Sequence, residues 1–508
     1  MDVDYEFIVL GSGPSSFAAV QILKDKQQST LVLDIGKKHE NTNLTIMKSD
    51  FVKDSGNLCK TKYLKILFKK SKSRIKFSPK PNFGSYYPYF DFKILGIVKE
   101  KTSKLVLPIS GGYGGFSTVW GATFERYPKD VIDQWKNEIE INLTPYYLKL
   151  ESEIPWINNS LLHPAFLSCI TSKIPEKLEN QIEINDINIA IDESDSHTKC
   201  IKCNLCLRGC PKDSIFNTSI YFENLWRKMN FKYKNNALVR KVELRNSVVF
   251  VEFLDLNDNK LKKVSCKHLF IGTGPVSTSN IILNSFEDIE KVEIKDSATS
   301  YMVGISWKKL PKIDYSNSLA KFVIDFKHDK EITTSSQVYN FTPGVFNAIY
   351  AKLFIPKFLQ RRLDQLFQNR IVLIINYVDS RNSNSINITK NSNNHYAKLI
   401  YSNSQKLIFR SLGLKINELL KSNGIHGVKF FHLVKETGYG VHFGSCFSPT
   451  GGLSTRTDKD LGTLKQSNSI HLIDSSVLPS IEPGSITLTI MANAMRIVEN
   501  VCDKYNYR

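Results

Sequence analysis

The sequence lacks the features of several classes of protein. No uninterrupted apolar run reaches about 18 residues, so we expect no transmembrane helix. Residues 1–10 carry three acidic residues and no basic one, so we expect no signal peptide. No nucleic-acid-binding motif accompanies the net charge of +19, and the lysines are spread along the whole chain. We therefore expect no nucleic-acid partner, and we leave a peripheral contact with an anionic membrane open.

Cysteine is also scarce in the chain. Nine cysteines in a protein without a signal peptide argue for reduced thiols or metal ligands and against a disulfide framework. We expect a cytoplasmic protein, with a peripheral position at the inner face of the membrane as the alternative. Hydrophobic residues make up 42% and charged residues 23% of the chain, as in ordinary soluble proteins. A length of 508 residues predicts two or more domains.

The strongest pattern lies near the start, in residues 6–36. The apolar run Phe7–Leu10 predicts a buried strand, residues 15–24 have helical periodicity, and Thr30–Leu33 predicts a second strand. The order of strand, glycine turn, helix and strand is typical of a βαβ unit in a parallel sheet.

The turn of this unit predicts dinucleotide binding. Gly11, Gly13 and Ser16 are spaced as G-x-G-x-x-G with serine in the third place, and Asp34 ends the second strand. Gly11 permits a tight turn, and Gly13 lets a pyrophosphate approach the positive N-terminus of the helix. Ser16 is small enough to keep the helix close to the strand, and Asp34 can accept hydrogen bonds from a ribose. An ordinary βαβ unit with an incidental glycine turn is the alternative.

A glycine-rich loop follows in residues 111–127, which read GGYGGFSTVWGATFERY. Four glycines in five positions are incompatible with a routine helix or strand and allow the backbone to approach a ligand closely. Ser117 and Thr118 can donate hydrogen bonds there.

Residues 200–211 read CIKCNLCLRGCP, which is C-x2-C-x2-C-x3-C-P. This spacing is that of bacterial ferredoxins and favours an iron–sulfur cluster. Only one such run exists, so Cys210 is a fourth ligand by local rearrangement, is spare, or is replaced by a distant cysteine. Structural zinc and a metal-free relic remain alternatives. The candidate ligands are Cys200, Cys203, Cys206 and Cys210.

The middle and the C-terminal part add two strand-to-helix turns. Residues 237–271 contain three alternating runs, which predict a β-meander that returns to a central strand before Gly274. Residues 470–473 predict a strand that ends at Asp474, with Ser475 as a helix cap and a helix from about Thr487. The acid and the helix N-terminus could hold a ribityl chain and a flavin carbonyl.

These segments resemble the glucose-methanol-choline (GMC) family of FAD-dependent oxidoreductases. Residues 111–127 are similar to the flavin-contacting loop of the branch with Gly-Gly-x-Ser/Thr-x-x-Trp-Gly, and residues 144–147 (TPYY) fit a segment that commonly follows it. Residues 468–499 closely resemble the second family signature, D-[AS]-S-x-x-P followed by a small-residue turn and T-x-[TM]-A. The matches cover both termini and the middle, and the substrate region is unmatched.

The resemblance implies an α/β fold with a discontinuous Rossmann-like FAD-binding domain and an α+β substrate domain that contains an antiparallel sheet. It implies non-covalent FAD, because Val119 stands where some relatives have a flavin-linked histidine. Some members of the wider family carry a cluster at the cysteine run. Together with the motifs, the resemblance gives these cofactor-binding residues: Gly11, Gly13, Ser16, Asp34, Gly114, Gly115, Ser117, Thr118, Trp120, Gly121, Val239, Gly274, Asp474, Ser475, Ile486 and Thr487.

The domains implied by this resemblance interleave along the chain. We expect the FAD-binding domain to consist of residues 1–40, 100–128, 200–300 and 438–508, with the cysteine loop at 200–211. The substrate-binding or cap domain would then consist of residues 41–99, 129–199 and 301–437.

His442 is the expected catalytic base. It lies in the glycine-rich segment GYGVHFGSC (residues 438–446), and neutral imidazole can take a hydroxyl proton near pH 7 while hydride leaves carbon. The family commonly has His-x-x-Gly-Thr, whereas Gly444 here stands two residues after the histidine. The second active-site position, usually His or Asn, aligns with Ser485, which can hydrogen-bond substrate but is a poor base.

The sequence therefore predicts an FAD-dependent dehydrogenase that oxidises an alcohol group of a sugar or another polyol-like molecule. Hydride would pass to flavin, and electrons could leave through an iron–sulfur cluster to an acceptor protein or quinone. The alternatives are a flavin and iron–sulfur electron-transfer protein or reductase, and a catalytically degenerate protein of the same fold.

Three stretches carry no motif. Residues 60–80 are strongly basic, and residues 346–367 are amphipathic and basic. Helix packing or solvation is the default expectation for both, with a membrane contact as the alternative. The Asn- and Ser-rich residues 382–394 predict a hairpin loop.

Overall fold

We analyse the protein as a computed structural model. It describes residues 3–40, 42–54, 82–100, 105, 107, 109–135, 141–206, 209–226, 231–295, 297–311, 313, 318–329, 332–340, 355–367, 369–392, 394–427, 446–447, 457–458, 462–464 and 467–507. The helices within these residues are α1 (Pro14–Asp25), α2 (Leu44–Lys53), α3 (Lys129–Trp135), α4 (Thr144–Glu153), α5 (Pro164–Thr171), α6 (Thr218–Trp226), α7 (Pro275–Ser285), α8 (Lys357–Phe367), α9 (Asn403–Ser422) and α10 (Thr487–Lys504).

The strands are numbered in chain order. The first twelve are β1 (Tyr5–Leu10), β2 (Thr30–Leu33), β3 (Tyr89–Phe90), β4 (Ile97–Lys99), β5 (Ile109–Ser110), β6 (Ile157–Asn158), β7 (Ile182–Asn185), β8 (Asn188–Ile189), β9 (Phe231–Lys234), β10 (Ala237–Arg245), β11 (Val248–Asp255) and β12 (Lys260–Ile271). The others are β13 (Lys291–Lys295), β14 (Ala298–Ser306), β15 (Phe322–Asp329), β16 (Ile332–Asn340), β17 (Ile371–Val378), β18 (Ser385–Thr389), β19 (His395–Ile400), β20 (Ile425–Gly427), β21 (Cys446–Phe447), β22 (Thr457–Asp458), β23 (Thr463–Leu464) and β24 (Ile470–Leu472).

The apolar runs from both ends and the middle of the chain meet in one sheet. Its central strands lie in the order β24-β12-β1-β2-β9, and each neighbouring pair is parallel. The register places Val9 between Phe270 of β12 and Val32 of β2. All three side chains are buried, because a parallel sheet is covered on both faces. The predicted strands at residues 7–10 and 30–33 are confirmed.

Two helices from opposite ends of the chain cover this sheet together. α1 begins at Pro14, whose fixed φ and missing N–H suit the first helical position. It packs against α10, which buries Leu488, Met491 and Met495 at helical spacing. The helix predicted from about Thr487 therefore begins where it was expected. The β-meander predicted for residues 237–271 is also present, as β10, β11 and the first part of β12.

A second, antiparallel sheet of six strands has the order β20-β14-β17-β16-β15-β7. Its side chains alternate between two faces, as the pleat requires. On one face Val372 and Ile374 pack in a core with Phe409 and Leu412 of α9. On the other face the neighbouring strand residues pack against Leu363 and Phe367 of α8. The two faces are thus closed by different helices.

A third sheet of five strands corrects one expectation. Residues 382–394, predicted as a hairpin loop, contain strand β18, which pairs antiparallel with β13 and β19. Ile386 and Ile388 are buried, whereas Asn387 between them is half-buried. The Ser-Ile-Asn-Ile-Thr alternation is a strand pattern, and the Asn/Ser composition outweighed it in the prediction.

Some predictions fall outside the described residues, namely the basic stretch at residues 60–80 and residues 346–354. Residues 357–367 of the amphipathic segment form α8, directly after Pro356. Within the part of the chain that the structure describes, the search for a helix of sufficient length and apolarity to cross a membrane found none.

Candidate functional site

The candidate site lies at the carboxyl ends of the parallel strands. β1, β2, β12 and β24 all point in one direction, so the residues that follow them meet at a single edge of the sheet. Those residues are Gly11, Asp34, Gly272 and Asp474, each one or two positions beyond its strand. Ligands of open parallel sheets bind in the crevice at this edge.

Gly11 is required by backbone geometry. Its φ is +93°, and a Cβ there would lie 2.9 Å from the carbonyl oxygen of Gly272. Its N–H donates to the carbonyl of Leu33 at 2.8 Å, which joins the turn to the end of β2. Ser16 contributes more than small size, because its Oγ donates to the carbonyl of Leu10 at 3.0 Å and approaches that of Gly272 at 3.3 Å. The serine therefore ties α1 to the ends of β1 and β12.

Gly13, unlike Gly11, is not required by its backbone conformation. It precedes α1 with φ −70° and ψ −178°, a conformation that any residue adopts. A Cβ at this position would meet no atom within 4 Å, so its side-chain direction faces open space. The first turn of α1 has no side-chain cap and no acidic residue. Its free backbone N–H groups and positive helix end make this space suitable for a phosphate.

Asp34 lies at the end of β2 and is held by two hydroxyl groups. Its carboxylate accepts a short hydrogen bond from Ser12 Oγ and a second, at 3.2 Å, from the hydroxyl of Tyr233. Burial raises the pKa of Asp34 to about 6, and the two hydroxyl donors oppose that rise. Neither donor was predicted from the sequence, although Ser12 stands between the two motif glycines.

Asp474 joins β24 to the turn before α7. Its Oδ2 accepts from the N–H of Gly274 at 2.8 Å and from Thr278 Oγ1 at 2.6 Å, and its Oδ1 accepts from the N–H of Ser476 at 3.0 Å. Burial raises the pKa of Asp474. Gly274 has φ +83° and open space at its Cβ position, and Ser475 is buried. Asp474 therefore holds the turn, and its contact with a ribityl chain stays a prediction.

The glycine-rich loop packs directly on the dinucleotide turn. The N–H of Gly114 donates to Ser12 Oγ at 2.8 Å, and Thr218 Oγ1 donates to the carbonyl of Ser12 at 2.8 Å. A Cβ on Gly115, whose φ is +59°, would lie 3.1 Å from the Cα of Gly13. The two glycine motifs thus touch. Thr218 follows the cysteine loop and carried no sequence signal for this role.

The polar side chains of the loop are engaged within the protein. Ser117 Oγ donates to the carbonyl of Gly114 at 2.6 Å, Thr118 Oγ1 to that of Gly115 at 3.0 Å, and Trp120 Nε1 to that of Phe216 at 2.8 Å. Beyond Gly121, Ala122 is buried with φ +55°, a conformation in which a residue with a Cβ is strained. Because the hydroxyl groups of Ser117 and Thr118 already donate within the loop, a ligand would be contacted mainly by the backbone of the loop.

The C-terminal signature approaches the same loop. Ser485 Oγ donates to the carbonyl of Thr123 at 2.9 Å. Gly484 before it has φ +132° and open space at its Cβ position. Ile486 precedes Thr487, the first residue of α10, and gives no side-chain cap, so the first N–H groups of α10 keep no capping partner on that residue. Val239 lies in β10 at a break in the pairing register and is buried.

An ionic cluster of two buried carboxylates and a half-exposed arginine connects this signature to the antiparallel sheet. Arg381 Nη2 lies 2.7 Å from Asp379 Oδ2 and 3.2 Å from Glu482 Oε1. Burial raises the pKa of Glu482, and the neighbouring Asp379 carboxylate raises it further. The N–H of Glu482 also approaches the hydroxyl of Tyr127 at 3.3 Å, at the end of the glycine-rich loop. The cluster therefore connects three segments of the chain around Ser485.

The cysteine run brings four thiols near one another without the geometry of a metal site in the part of the chain that the structure describes. The thiols of Cys200, Cys203, Cys206 and Cys210 lie close enough to raise each other's pKa, and burial raises the pKa of Cys206 to about 12. Lys321 lies beside Cys206 and Cys200, and burial lowers its pKa to about 7. Among the residues that the structure describes, however, no group of three or more His, Cys, Asp or Glu side chains is placed to hold a metal ion. The arrangement does not support an iron–sulfur or zinc ligand set.

The predicted base, His442, lies outside the described residues, as do residues 438–445 around it. Its position relative to Ser485 therefore stays a prediction.

Of the comparisons with known proteins, the one with solved structures finds similarity. No family model matches the sequence. No curated protein matches it either. Among solved structures, pyridoxine 4-oxidase from Mesorbium loti aligns with 99% of this chain and 100% of its own, with a TM-score of 0.59 and 10% sequence identity. The chain therefore shares the fold of that structure, a mixed α/β fold with a parallel sheet.

Proposed function

We propose that the protein is an FAD-dependent oxidoreductase that oxidises an alcohol group of a small molecule, a sugar or another polyol-like compound. The observation that carries the proposal is the meeting of two glycine motifs at the carboxyl ends of four parallel strands. A Cβ on Gly115 would lie 3.1 Å from the Cα of Gly13, yet the side-chain direction of Gly13 remains open. The similar solved structure is by its name an oxidase of pyridoxine, which supports an oxidoreductase of this general kind.

The residues at this edge fit FAD. A ligand can occupy the space at Gly13, Gly274 and Gly484, where a Cβ would meet no atom within 4 Å. The N-terminus of α1 would hold the pyrophosphate, and Asp34 the ribose diol. The backbone of the glycine-rich loop and the N-terminus of α10 would contact the flavin ring. When bound, FAD supplies a hydride acceptor.

The chain itself would supply the base and the orientation of substrate. On the sequence evidence His442 takes the hydroxyl proton, for which a neutral imidazole is suited near pH 7. Ser485 would orient substrate, provided that its hydroxyl leaves the carbonyl of Thr123. The ionic cluster of Asp379, Arg381 and Glu482 would hold the Ser485 segment against the six-stranded antiparallel sheet.

A separate part of the proposal concerns how the electrons leave the flavin. The C-x2-C-x2-C-x3-C-P spacing in the sequence supports an iron–sulfur cluster that would pass electrons to an acceptor protein or quinone. The placement of those thiols does not support it. No step of the alcohol oxidation proposed here depends on it.

One observation favours a second candidate, a flavin-binding protein without alcohol oxidation. The hydroxyl of Ser485 is committed to the carbonyl of Thr123, where the family usually places a histidine or asparagine for chemistry. If Ser485 keeps this hydrogen bond, we expect the protein to bind FAD without oxidising an alcohol.

The first test is the absorbance spectrum of anaerobically purified protein, with iron and acid-labile sulfide assayed on the same sample. We expect flavin bands in the wild type and in Gly96→Ala, a control outside the cofactor motifs. Its Cβ would meet only Asn394 Oδ1 at 3.7 Å, and its φ of +73° should cost about 1 kcal/mol of stability without loss of flavin. We expect Gly13→Ala to fold but to lose flavin, because the new methyl group enters the pyrophosphate space. A wild type that binds no flavin even after reconstitution would refute the proposal.

The second test separates the two candidates. Anaerobic addition of alcohols and sugars to the flavin-loaded protein should bleach the flavin bands if the protein is an alcohol dehydrogenase or oxidase. Persistent flavin bands with every alcohol, together with full flavin content, would favour the non-catalytic protein. His442→Ala should retain flavin and lose the bleaching.

A further inference from the structure

An exposed tryptophan lies at the end of a strand of the six-stranded antiparallel sheet, outside the cofactor motifs. Trp307 follows strand β14, and 79% of it is exposed. Lys308 and Lys309 come directly after it and are also exposed. An exposed indole beside cations is typical of a membrane interface, because the ring has an apolar body and a polar N–H.

The tryptophan loop is fixed to the end of helix α8. The N–H of Ser306 donates to the carbonyl of Arg370 at 2.7 Å, and the N–H of Leu310 donates to that of Asn369, also at 2.7 Å. The guanidinium of Arg370 donates back to the carbonyl of Trp307. The segment around Trp307 is therefore hydrogen-bonded to the turn that follows α8.

Helix α8 has more apolar side chains than it packs against the antiparallel sheet. Leu363 and Phe367 pack against the antiparallel sheet. Leu359 and Leu366, two turns apart on the same side, remain 37% and 57% exposed. Arg362 beside them is exposed as well. The residues of this surface, named here the Trp307 surface, are Trp307, Lys308, Lys309, Leu359, Arg362 and Leu366.

The segments that form this surface are predominantly basic. In the sequence, segments 307–313 and 357–370 together contain seven basic residues and one acidic residue, Asp364. The whole chain carries a net charge of +19. A partner that complements this surface must be anionic and must also accept indole and leucine side chains into an apolar layer.

We propose that the Trp307 surface binds the surface of an anionic lipid bilayer. Lysine and arginine side chains near such a surface are attracted to its headgroups, and Trp and Leu enter the headgroup–acyl boundary. A nucleic acid offers the negative charge but no apolar layer for Leu366. None of the residues of the Trp307 surface belongs to the cofactor motifs, so the proposal does not depend on the proposed reaction.

The test is co-sedimentation of the full-length protein with vesicles of phosphatidylcholine alone and of equal parts phosphatidylcholine and phosphatidylserine. We expect binding to the anionic vesicles only, with weakening as salt rises. The double variant Lys308→Glu/Lys309→Glu should bind at least about ten-fold more weakly, because each change replaces an attraction of roughly five-fold with a repulsion. Trp307→Ala should weaken binding several-fold.

Matched variants keep the test specific. Lys291→Glu/Lys398→Glu makes the same change of charge at two exposed strand positions, and Trp156→Ala removes another exposed tryptophan. Both should bind as the wild type does, and all variants should keep their flavin content and far-ultraviolet circular dichroism. Trp307→Phe should keep binding but lose the lipid-induced blue shift of tryptophan emission.

Three results would overturn the proposal. The first is equal binding to neutral and anionic vesicles, or to neither. The second is equal loss of binding in the matched controls. The third is capture of an acidic protein by this surface without any vesicle binding.

Discussion

The glycine motifs and the cysteine run are both clear sequence patterns. The glycine motifs form a hydrogen-bonded binding edge, whereas the cysteine run does not form a metal-ligand geometry among the described residues. At the strand ends, Gly11, Gly114 and Gly115 adopt left-handed conformations, and serine, threonine and aspartate side chains bond the turns to each other. In the cysteine loop, four thiols lie near one another without three of them being placed for a metal among the described residues.

The difference follows from what specifies each kind of site. A glycine turn is specified by backbone conformation and by hydrogen bonds within the chain, so the polypeptide alone defines it. A thiolate site is specified by the ion, which draws sulfur atoms to about 2.3 Å, in the case of zinc, against their mutual repulsion. A sequence pattern of glycines can therefore be compared with geometry, whereas a pattern of cysteines needs a chemical test.

The largest effect on stability is expected from Gly11→Ala. A Cβ would lie 2.9 Å from the carbonyl oxygen of Gly272, in a conformation with φ +93°. We expect the free energy of unfolding to fall by at least about 2 kcal/mol, and flavin to be lost with it. Urea unfolding followed by circular dichroism measures this. Gly13→Ala, which has neither clash nor unfavourable φ, should unfold within about 0.5 kcal/mol of the wild type.

The cysteine loop should respond as a unit if an iron–sulfur cluster completes it. We expect an iron chelator to increase alkylation of Cys200, Cys203, Cys206 and Cys210 together by several-fold, as read by mass spectrometry of the native protein. Cys169, whose thiol pKa is raised by burial alone, should not change. A chelator that alters none of the four thiols would leave the loop without a metal and remove the proposed electron exit.

Asp474→Asn tests the hydrogen bonds that close the cofactor edge. The amide group cannot accept from Gly274, Thr278 and Ser476 as the carboxylate does, so buried donors lose partners. We expect the free energy of unfolding to fall by about 2 kcal/mol. Thr278→Val removes one donor to Asp474 and the hydrogen bond between the Thr273 and Thr278 hydroxyls, and should lower it by about 1 kcal/mol. Equal stability of wild type and Asp474→Asn would contradict this role.

Asp34 should give the apoprotein a stability that depends on pH. Its pKa is about 6 in the folded protein against 3.8 for an ordinary aspartate, so the folded state binds more protons between these values. The free energy of unfolding should therefore fall as pH rises from about 4 to about 6, by at most about 3 kcal/mol. Asp34→Asn should remove this part of the pH dependence. Urea titrations of both proteins across this range measure it.

The predictions from sequence were accurate where one short segment carries the whole signal. Phe7–Leu10 and Thr30–Leu33 are strands, and α10 begins at Thr487, because apolar period and helix entry are local. Thr218, Thr278 and Tyr233 were missed, since their contacts join segments far apart in the chain and any hydroxyl could serve. β18 was missed because its apolar alternation lies within an Asn/Ser-rich stretch.

Ser485→Ala is expected to have the smallest effect on stability, and it separates two roles for the residue. The change removes one hydrogen bond, to the carbonyl of Thr123, so the free energy of unfolding should fall by about 1 kcal/mol. If Ser485 only holds the loop, kcat and KM for alcohol should stay near wild type. If its hydroxyl turns to substrate, kcat/KM should fall by more than that stability change explains, and Ser485→Thr should restore part of it. A full loss of turnover in Ser485→Ala with unchanged stability would make this residue part of the reaction and would remove the structural role argued from its contact.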